Sequence, residues 1–151
     1  MRAFGIALVA AVWVSGSFAE VPKELPCEPN GECSDPCIYF PDGTVFVATE
    51  SGAKLYYNKQ VRELPQSSTQ VRRGIQGNAE LPGFVRFSTY NDGSTRVEAT
   101  FKVTGTSCYE KNQAGIYEST DKCCWTEYDV TLQVSQGSAK KSLRAKWSSG
   151  C

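Results

Sequence analysis

The fold is decided by residues 84–104, which read FVRFSTYNDGSTRVEATFKVT. At its centre, Asn91-Asp92-Gly93 is a strong hairpin signal, because these residue types adopt the backbone angles of tight turns between antiparallel strands. After the turn, apolar and polar side chains alternate: Val97, Ala99, Phe101 and Val103 against Arg96, Glu98, Thr100 and Lys102. A period of two places one set in the core and the other in water. We therefore predict an antiparallel pair of strands at 84–90 and 94–104.

The same period recurs along most of the chain. It predicts further short strands at 37–40, 44–49, 53–57, 115–119, 124–134 and 143–147. No segment shows the period of an amphipathic helix. We therefore predict an all-β, disulfide-stapled domain: an antiparallel sandwich or a small barrel of about seven to eight strands.

Residues 58–82 depart from this pattern, since they are polar and are interrupted by Pro65, Gly74 and Pro82. A connection this long without regular structure is uncommon in a compact domain, and is usually either functional or disordered. We predict a long irregular segment that is a binding loop or a flexible loop. A further strand near 70–75 is the third alternative.

The first residues have the features of a secretory signal. Met1 and Arg2 precede an apolar run at 3–14, and small residues around Ala19 suit cleavage after that position. The apolar run is too short to span a bilayer. We predict a cleaved signal peptide at 1–19, a cysteine-pinned acidic arm at 20–36 and a single β domain at 37–151. The product is expected to be secreted and extracellular, without a membrane span.

Seven cysteines follow the signal: Cys27, Cys33, Cys37, Cys108, Cys123, Cys124 and Cys151. Thiols of exported proteins become disulfides. If the Cys123-Cys124 doublet is extended, its side chains point to opposite faces and serve two different bonds. Cys124 shares the core-facing phase of Tyr128, so we expect it to form a long-range bond, and Cys123 is the predicted partner of Cys108.

The cysteine count is odd, so one cysteine has no partner within the chain. Cys151 is the candidate for an interchain bond, which would give a disulfide-linked homodimer. A single reduced, buried thiol is the alternative.

The chain contains no histidine. Ser-His-Asp and Cys-His nucleophiles are therefore excluded, as are metal sites with imidazole ligands. No Cys-x-x-Cys pair occurs, and the glycines lie scattered in turns rather than in a phosphate-binding loop. Acidic residues that alternate along a strand normally form a solvated face. We predict no catalytic residue, no metal site and no cofactor.

Charge is nearly balanced: without Arg2, 15 basic residues face 16 acidic ones. Such a chain has no general attraction to nucleic acid or to anionic membranes. Acidic residues crowd the arm, however, and basic residues crowd the C-terminus at Lys140, Lys141, Arg144 and Lys146. Either the two ends lie together and neutralise each other, or a basic strand faces an acidic partner.

These features predict a non-catalytic binding protein that acts on an extracellular protein partner, as an effector, toxin-like protein or inhibitor. Arginine and aromatic residues are enriched at interface hot spots. The candidate binding residues are Arg62, Arg72, Arg73, Tyr56, Tyr57 and Trp125.

Two alternatives remain. One is a carrier of small ligands with a lipocalin-like barrel, which an apolar cavity of about 300 Å³ or more would favour over a filled interior. The other is a structural protein of the extracellular matrix that is joined through the odd cysteine.

Overall fold

A computed structural model describes residues 21–27, 36–72, 78–122 and 124–150. Within these ranges lie β1 (Ile38–Tyr39), β2 (Val45–Ala48), β3 (Gly52–Tyr57), β4 (Gln60–Arg72), β5 (Val85–Asn91), β6 (Thr95–Thr106), β7 (Tyr109–Lys111), β8 (Tyr117–Ser119), β9 (Trp125–Gln136) and β10 (Ala139–Gly150). The described residues contain no helix, and so none that is long and apolar enough to cross a membrane. The prediction of an all-β fold is confirmed.

Eight strands form one antiparallel sheet in the order β1-β2-β3-β4-β5-β6-β9-β10. β7 and β8 form a separate hairpin that is inserted between β6 and β9. Because strands twist with a fixed hand, a long meander of neighbouring strands curls. This curl brings β1 close to β10, and the sheet becomes a nearly closed barrel rather than a sandwich.

The hairpin predicted at residues 84–104 is present as β5 and β6. Gly93 at its turn has a φ of 92°, a backbone angle that residues other than glycine rarely adopt. The Asp92 carboxylate accepts hydrogen bonds from the backbone N–H groups of Ser94 and Thr95, at 2.8 and 2.7 Å. These bonds satisfy the turn's amides and hold the register of the two strands.

Inward side chains of every long strand fill the barrel. The buried cluster consists of Ile38, Phe40, Phe46, Ala53, Leu55, Leu64, Tyr90, Val97, Ala99, Phe101, Val130, Leu132, Val134 and Leu143. Phe46 lies at its centre, edge-on to Tyr90 at 5.5 Å between ring centroids and 6.3 Å from Phe101. The barrel is therefore held by a packed interior over most of its length.

Residues 21–27 of the arm cover one outer face of the sheet. Leu25 packs there with Val45 and Val47, which point outward from β2. A disulfide between Cys27 and Cys37, with Cα atoms 5.4 Å apart, pins the arm to the start of β1. β2 is consequently buried on both faces, and the opposite outer face, formed by β5, β6, β9 and β10, is more exposed.

The segment 58–82 is not irregular throughout, so that prediction is wrong for its first half. Residues 60–72 form β4, which pairs with β3 up to Pro65 and with β5 from Gln66 onward. A register shift lies between Gln66 and Ser68, and Pro65 stands next to it. Proline is tolerated at such irregularities because a ladder hydrogen bond is absent there. Residues 66–71 of β4 are exposed on both faces of the strand. They therefore lack the alternation of apolar and polar residues that would have predicted a strand.

In the C-terminal half, Cys108 bonds to Cys124, with Cα atoms 4.7 Å apart. The predicted Cys108–Cys123 pair is therefore wrong. The prediction assumed that the doublet lies within a strand, whereas β9 begins at Trp125.

A β-bulge explains which of the two cysteines is used. Up to Val103, which lies opposite Tyr128, each residue of β6 pairs with one residue of β9. At the bulge, β6 advances by two residues while β9 advances by one, so that Gly105 lies opposite Glu127. Extended past the strand ends, the shifted register places Cys108 opposite the second cysteine of the doublet. The unshifted register would have placed it opposite the first. One inserted residue therefore changes the disulfide partner.

Several predictions fall outside the described residues: the signal peptide at 1–19, Cys33, Cys123, Cys151 and Arg73. The fate of the odd cysteine therefore stays a prediction. The last strand is longer than predicted, since β10 begins at Ala139 and ends at Gly150.

Candidate functional site

The candidate binding surface is the outward side of β6, β9 and β10, which we call the outer cationic face. Its residues are Arg96, Glu98, Thr100 and Lys102 from β6, Glu127, Asp129, Thr131 and Gln133 from β9, and Lys140, Ser142, Arg144 and Lys146 from β10. Five of these are basic and three are acidic, whereas in residues 20–151 the acidic residues slightly outnumber the basic ones. Positive charge is therefore concentrated on this face.

Strand register arranges these charges in rows across the sheet. Lys102, Asp129 and Lys146 lie side by side on three neighbouring strands, and Arg144 occupies the next row on β10. Arg96 is paired with Glu98 on its own strand, at 2.6 Å. Among the described residues, neither Lys102, Arg144 nor Lys146 has a carboxylate within ion-pair distance.

Apolar side chains border the charged rows. Phe87 on β5 is 45 % exposed and lies opposite Thr100, in the row that ends at Arg144. Val85 lies opposite Lys102, in the row that ends at Lys146. An exposed aromatic beside unpaired cations is a combination found at protein interfaces.

β10 also presents a free edge. All of its residues pair with β9 on one side, and β1, which is only two residues long, approaches the other side without joining the ladder. Within the described part of the chain, most of this edge therefore has no strand partner. An unpaired edge is a template for an added strand, and charged side chains restrict which strand can join it.

Lys141 does not belong to this surface, although the sequence groups it with its basic neighbours. Its ammonium donates a hydrogen bond to the Asp42 carboxylate at 2.6 Å and lies 5.9 Å from the ring centroid of Tyr57. This hydrogen bond to Asp42 raises the pKa of Lys141, and burial opposes the rise. Burial of Asp42 would raise its pKa, but hydrogen bonds from Lys141 and Thr44 outweigh burial and lower it. This pair lies at the barrel end where β10 begins.

The predicted binding arginines are far apart. The guanidinium of Arg62 bonds to Asp92 at 3.4 Å and to Ser94 at 3.0 Å, so it braces the β5–β6 turn. Arg72 is the last residue of the same strand, β4. A strand rises about 3.3 Å per residue, so the backbone of Arg72 lies about 30 Å along the strand from that of Arg62. The backbone of Arg72 lies opposite Val85, in the row that leads to Lys102. The structure therefore brings the position of Arg72, but not Arg62, to the outer cationic face.

The predicted aromatic residues are also dispersed. Tyr56 packs under the arm, and Tyr57 packs against the barrel core. Trp125 is 40 % exposed and begins β9, two residues before Glu127 on the same outward side. Of the three, Trp125 is the one that adjoins the candidate surface.

A small cavity lies at the barrel end remote from Lys141. It has a volume of about 190 Å³ and is lined by Ala79, Phe84, Arg86, Phe101, Tyr128 and Trp147. We call it the mouth cavity. It is smaller than the roughly 300 Å³ typical of a drug-sized ligand, and among the described residues the inward side chains of the core cluster pack the middle of the barrel. The mouth cavity therefore does not reach the volume that would favour the lipocalin-like carrier of small ligands.

Within the described ranges, no group of three or more Cys, Asp or Glu side chains is placed to hold a metal ion. Comparison with known proteins finds no matching protein family, no similar curated protein and no similar solved structure.

Sequence reasoning did not identify Phe87, Lys102 or Arg86 as binding residues. The signal for Arg86 was present, since it shares the phase of the buried Ser88 and Tyr90 on β5. A charged residue at an inward position is uncommon unless it is paired or functional. For Phe87 and Lys102, only the register of neighbouring strands shows that they adjoin the basic residues of β10.

Proposed function

We propose that the mature chain is a secreted, non-catalytic protein that binds an extracellular protein through the outer cationic face and the free edge of β10. The observation that carries the proposal is that Arg144 and Lys146 stand without ion-pair partners in the described structure on a strand with one unpaired edge. The two disulfides support export, because such bonds persist in oxidising compartments.

The partner's chemistry follows from this surface. Lysine and arginine on the outward side of β10 attract carboxylates, and the unpaired edge offers backbone hydrogen bonds to an extended segment. The exposed ring of Phe87 adds apolar contact area two strands away from β9. We therefore propose an acidic, extended segment of a protein as the partner. A purely polyanionic sugar would leave Phe87 without a contact and would not use the backbone edge.

The test is the binding of an immobilised peptide in which glutamate alternates with valine. The double variant Arg144→Glu, Lys146→Glu should weaken binding by about tenfold or more, because it removes two attractions and adds two repulsions of roughly 0.5 kcal/mol each. The matched control is Lys23→Glu, Lys59→Glu, which changes net charge equally at exposed sites off this face. Equal losses in both variants would show only a general charge effect and would contradict the proposal.

A second probe separates the edge from the face. The same peptide with N-methylated backbone amides keeps its charge but cannot donate to β10, so it should bind several-fold more weakly. If N-methylation has no effect, the edge plays no part. Heparin is the competing probe. If it binds more tightly than the peptide, and if Arg144→Glu, Lys146→Glu weakens the binding of heparin but not of the peptide, the partner is a polysaccharide.

Assembly through the odd cysteine remains a separate prediction, since Cys33, Cys123 and Cys151 lie outside the described residues. Electrophoresis with and without reductant tests it: a monomer under both conditions excludes a disulfide-linked homodimer or matrix.

A further inference from the structure

The mouth cavity contains a charged group that the outer cationic face does not use. Arg86 lies on β5 directly opposite Phe101 on β6, and Tyr128 on β9 lies opposite Trp147 on β10. These four inward side chains line one cavity of about 190 Å³, together with Ala79 and Phe84. Val71 pairs with Arg86 in the ladder and is 51 % exposed.

The guanidinium of Arg86 is positioned but incompletely satisfied. Its Cζ lies 4.6 Å from the ring centroid of Phe101, which is a cation–π contact. Its Nε atom is shielded from solvent and has no hydrogen-bond partner in the described structure. Among the described residues, no carboxylate lies within ion-pair distance of Arg86. A guanidinium that lines a cavity without a carboxylate partner favours an anion there, because charge-assisted hydrogen bonds are strong.

The other walls are aromatic. The rings of Tyr128 and Trp147 lie 5.1 Å apart between centroids and are tilted by 33°. Phe84 is buried and closes the inner side. A flat apolar ring can stack in such a space, because aromatic pairs favour offset and edge-on contacts.

The hydroxyl of Tyr128 adds a possible donor. Burial is the main influence on this group and raises the pKa of Tyr128, while a hydrogen bond with Ser149 and the charge of Arg86 oppose the rise. The carboxylate of Glu80 acts in the same direction as burial. The phenol therefore stays protonated at neutral pH and can donate to an anion.

The size of the cavity limits the ligand. At about 30 Å³ per molecule, 190 Å³ corresponds to roughly six waters. This volume admits one aromatic ring with a short acidic arm, but not a long-chain lipid. We propose that the mouth cavity binds a small free aromatic carboxylate, with Arg86 as the partner of the carboxylate and Trp147 stacked against the ring.

The experiment uses the full mature chain with phenylacetate and its neutral isostere, phenylacetamide, in calorimetric titrations. Phenylacetate should bind at least tenfold more tightly than the amide, because hydrogen bonds to a charged acceptor are stronger. Arg86→Met should remove this preference, whereas Arg96→Met, on the outer face, should preserve it. Binding of neither probe, or equal binding of both by the unmodified protein, would overturn the proposal.

A measurement on the unmodified protein covers the case in which Arg86→Met does not fold. The Nε–H resonance of Arg86 should shift on titration with phenylacetate and not with phenylacetamide; if it fails to move with phenylacetate, the proposal is wrong. Binding of phenylacetate should also survive Arg144→Glu, Lys146→Glu, so failure at the mouth cavity and failure at the outer cationic face are distinguishable.

Discussion

Removing the Cys108–Cys124 bond tests both the β6–β9 register and the energetics of the fold. We consider the double variant Cys108→Ala, Cys124→Ala, which leaves no new unpaired thiol from this pair. The bond closes a loop with a sequence separation of 16 that contains the β7–β8 hairpin. Loop-closure entropy then predicts a loss of about 3 kcal/mol in the free energy of unfolding.

This loss of stability should not unfold the domain, because the ladder between β6 and β9 does not depend on the disulfide. β6 and β9 remain paired from Thr95 to Thr106 through their own hydrogen bonds and buried side chains. For a domain of about 130 residues, 3 kcal/mol corresponds to a decrease of roughly 10 °C in Tm. Thermal unfolding followed by circular dichroism, with urea titration as a second measure, provides the assay.

The control distinguishes the two adjacent cysteines. In Cys123→Ser, peptide mapping should still find Cys108 joined to Cys124, because the bulge sets these two opposite each other. If this variant instead loses the bond to Cys108, the shifted register is wrong. A double variant as stable as the unmodified protein would refute the energetic argument.

Two further predictions concern the core and the hairpin turn. Phe46→Ala, at a fully buried position, should lower the free energy of unfolding in urea by about 3–5 kcal/mol. Phe87→Ala, at an exposed position, should lower it by less than about 1 kcal/mol. Similar losses in the two variants would contradict the assignment of Phe46 to the core and Phe87 to the outer face. Burial would raise the pKa of Asp92, but hydrogen bonds from Thr95, Ser94 and Arg62 outweigh burial and lower the pKa below its ordinary value of about 3.9. Asp92 therefore stabilises the fold fully above its unfolded pKa, and this contribution is lost as pH falls through the lower folded pKa. Asp92→Asn should therefore reduce the loss of stability between about pH 5 and pH 2, as measured by urea midpoints against an Asp121→Asn control, and an unchanged profile would argue against the hydrogen-bonded turn.

Local patterns were sufficient for the fold class and for the strongest hairpin. Alternation along Val97, Ala99, Phe101 and Val103 predicts the inward face of β6, and all four are buried. This works because a strand's side-chain period does not depend on what the strand packs against. The limits of β4 and β10 were harder to predict, because their exposed ends are polar on both sides and lack alternation.

The candidate surface was only partly visible in the sequence. The basic residues of β10 form a run, so their shared outward side could be inferred from Arg144 and Lys146 alone. Phe87 and Lys102 adjoin these basic residues only because β5, β6 and β9 pair in the observed register. Such neighbours are distant in sequence, and no local pattern encodes their register.

The sequence by itself determined the class of fold, the hairpin at Asn91-Asp92-Gly93 and the absence of histidine chemistry, since each depends on residue type or on nearest neighbours along the chain. Only the tertiary structure decided that the sheet curls into a barrel, that Cys108 meets Cys124, and that Arg86 enters a cavity with Trp147. These outcomes depend on strand order, twist and a single bulged residue. They are properties of the whole sheet, which a local period of two cannot specify.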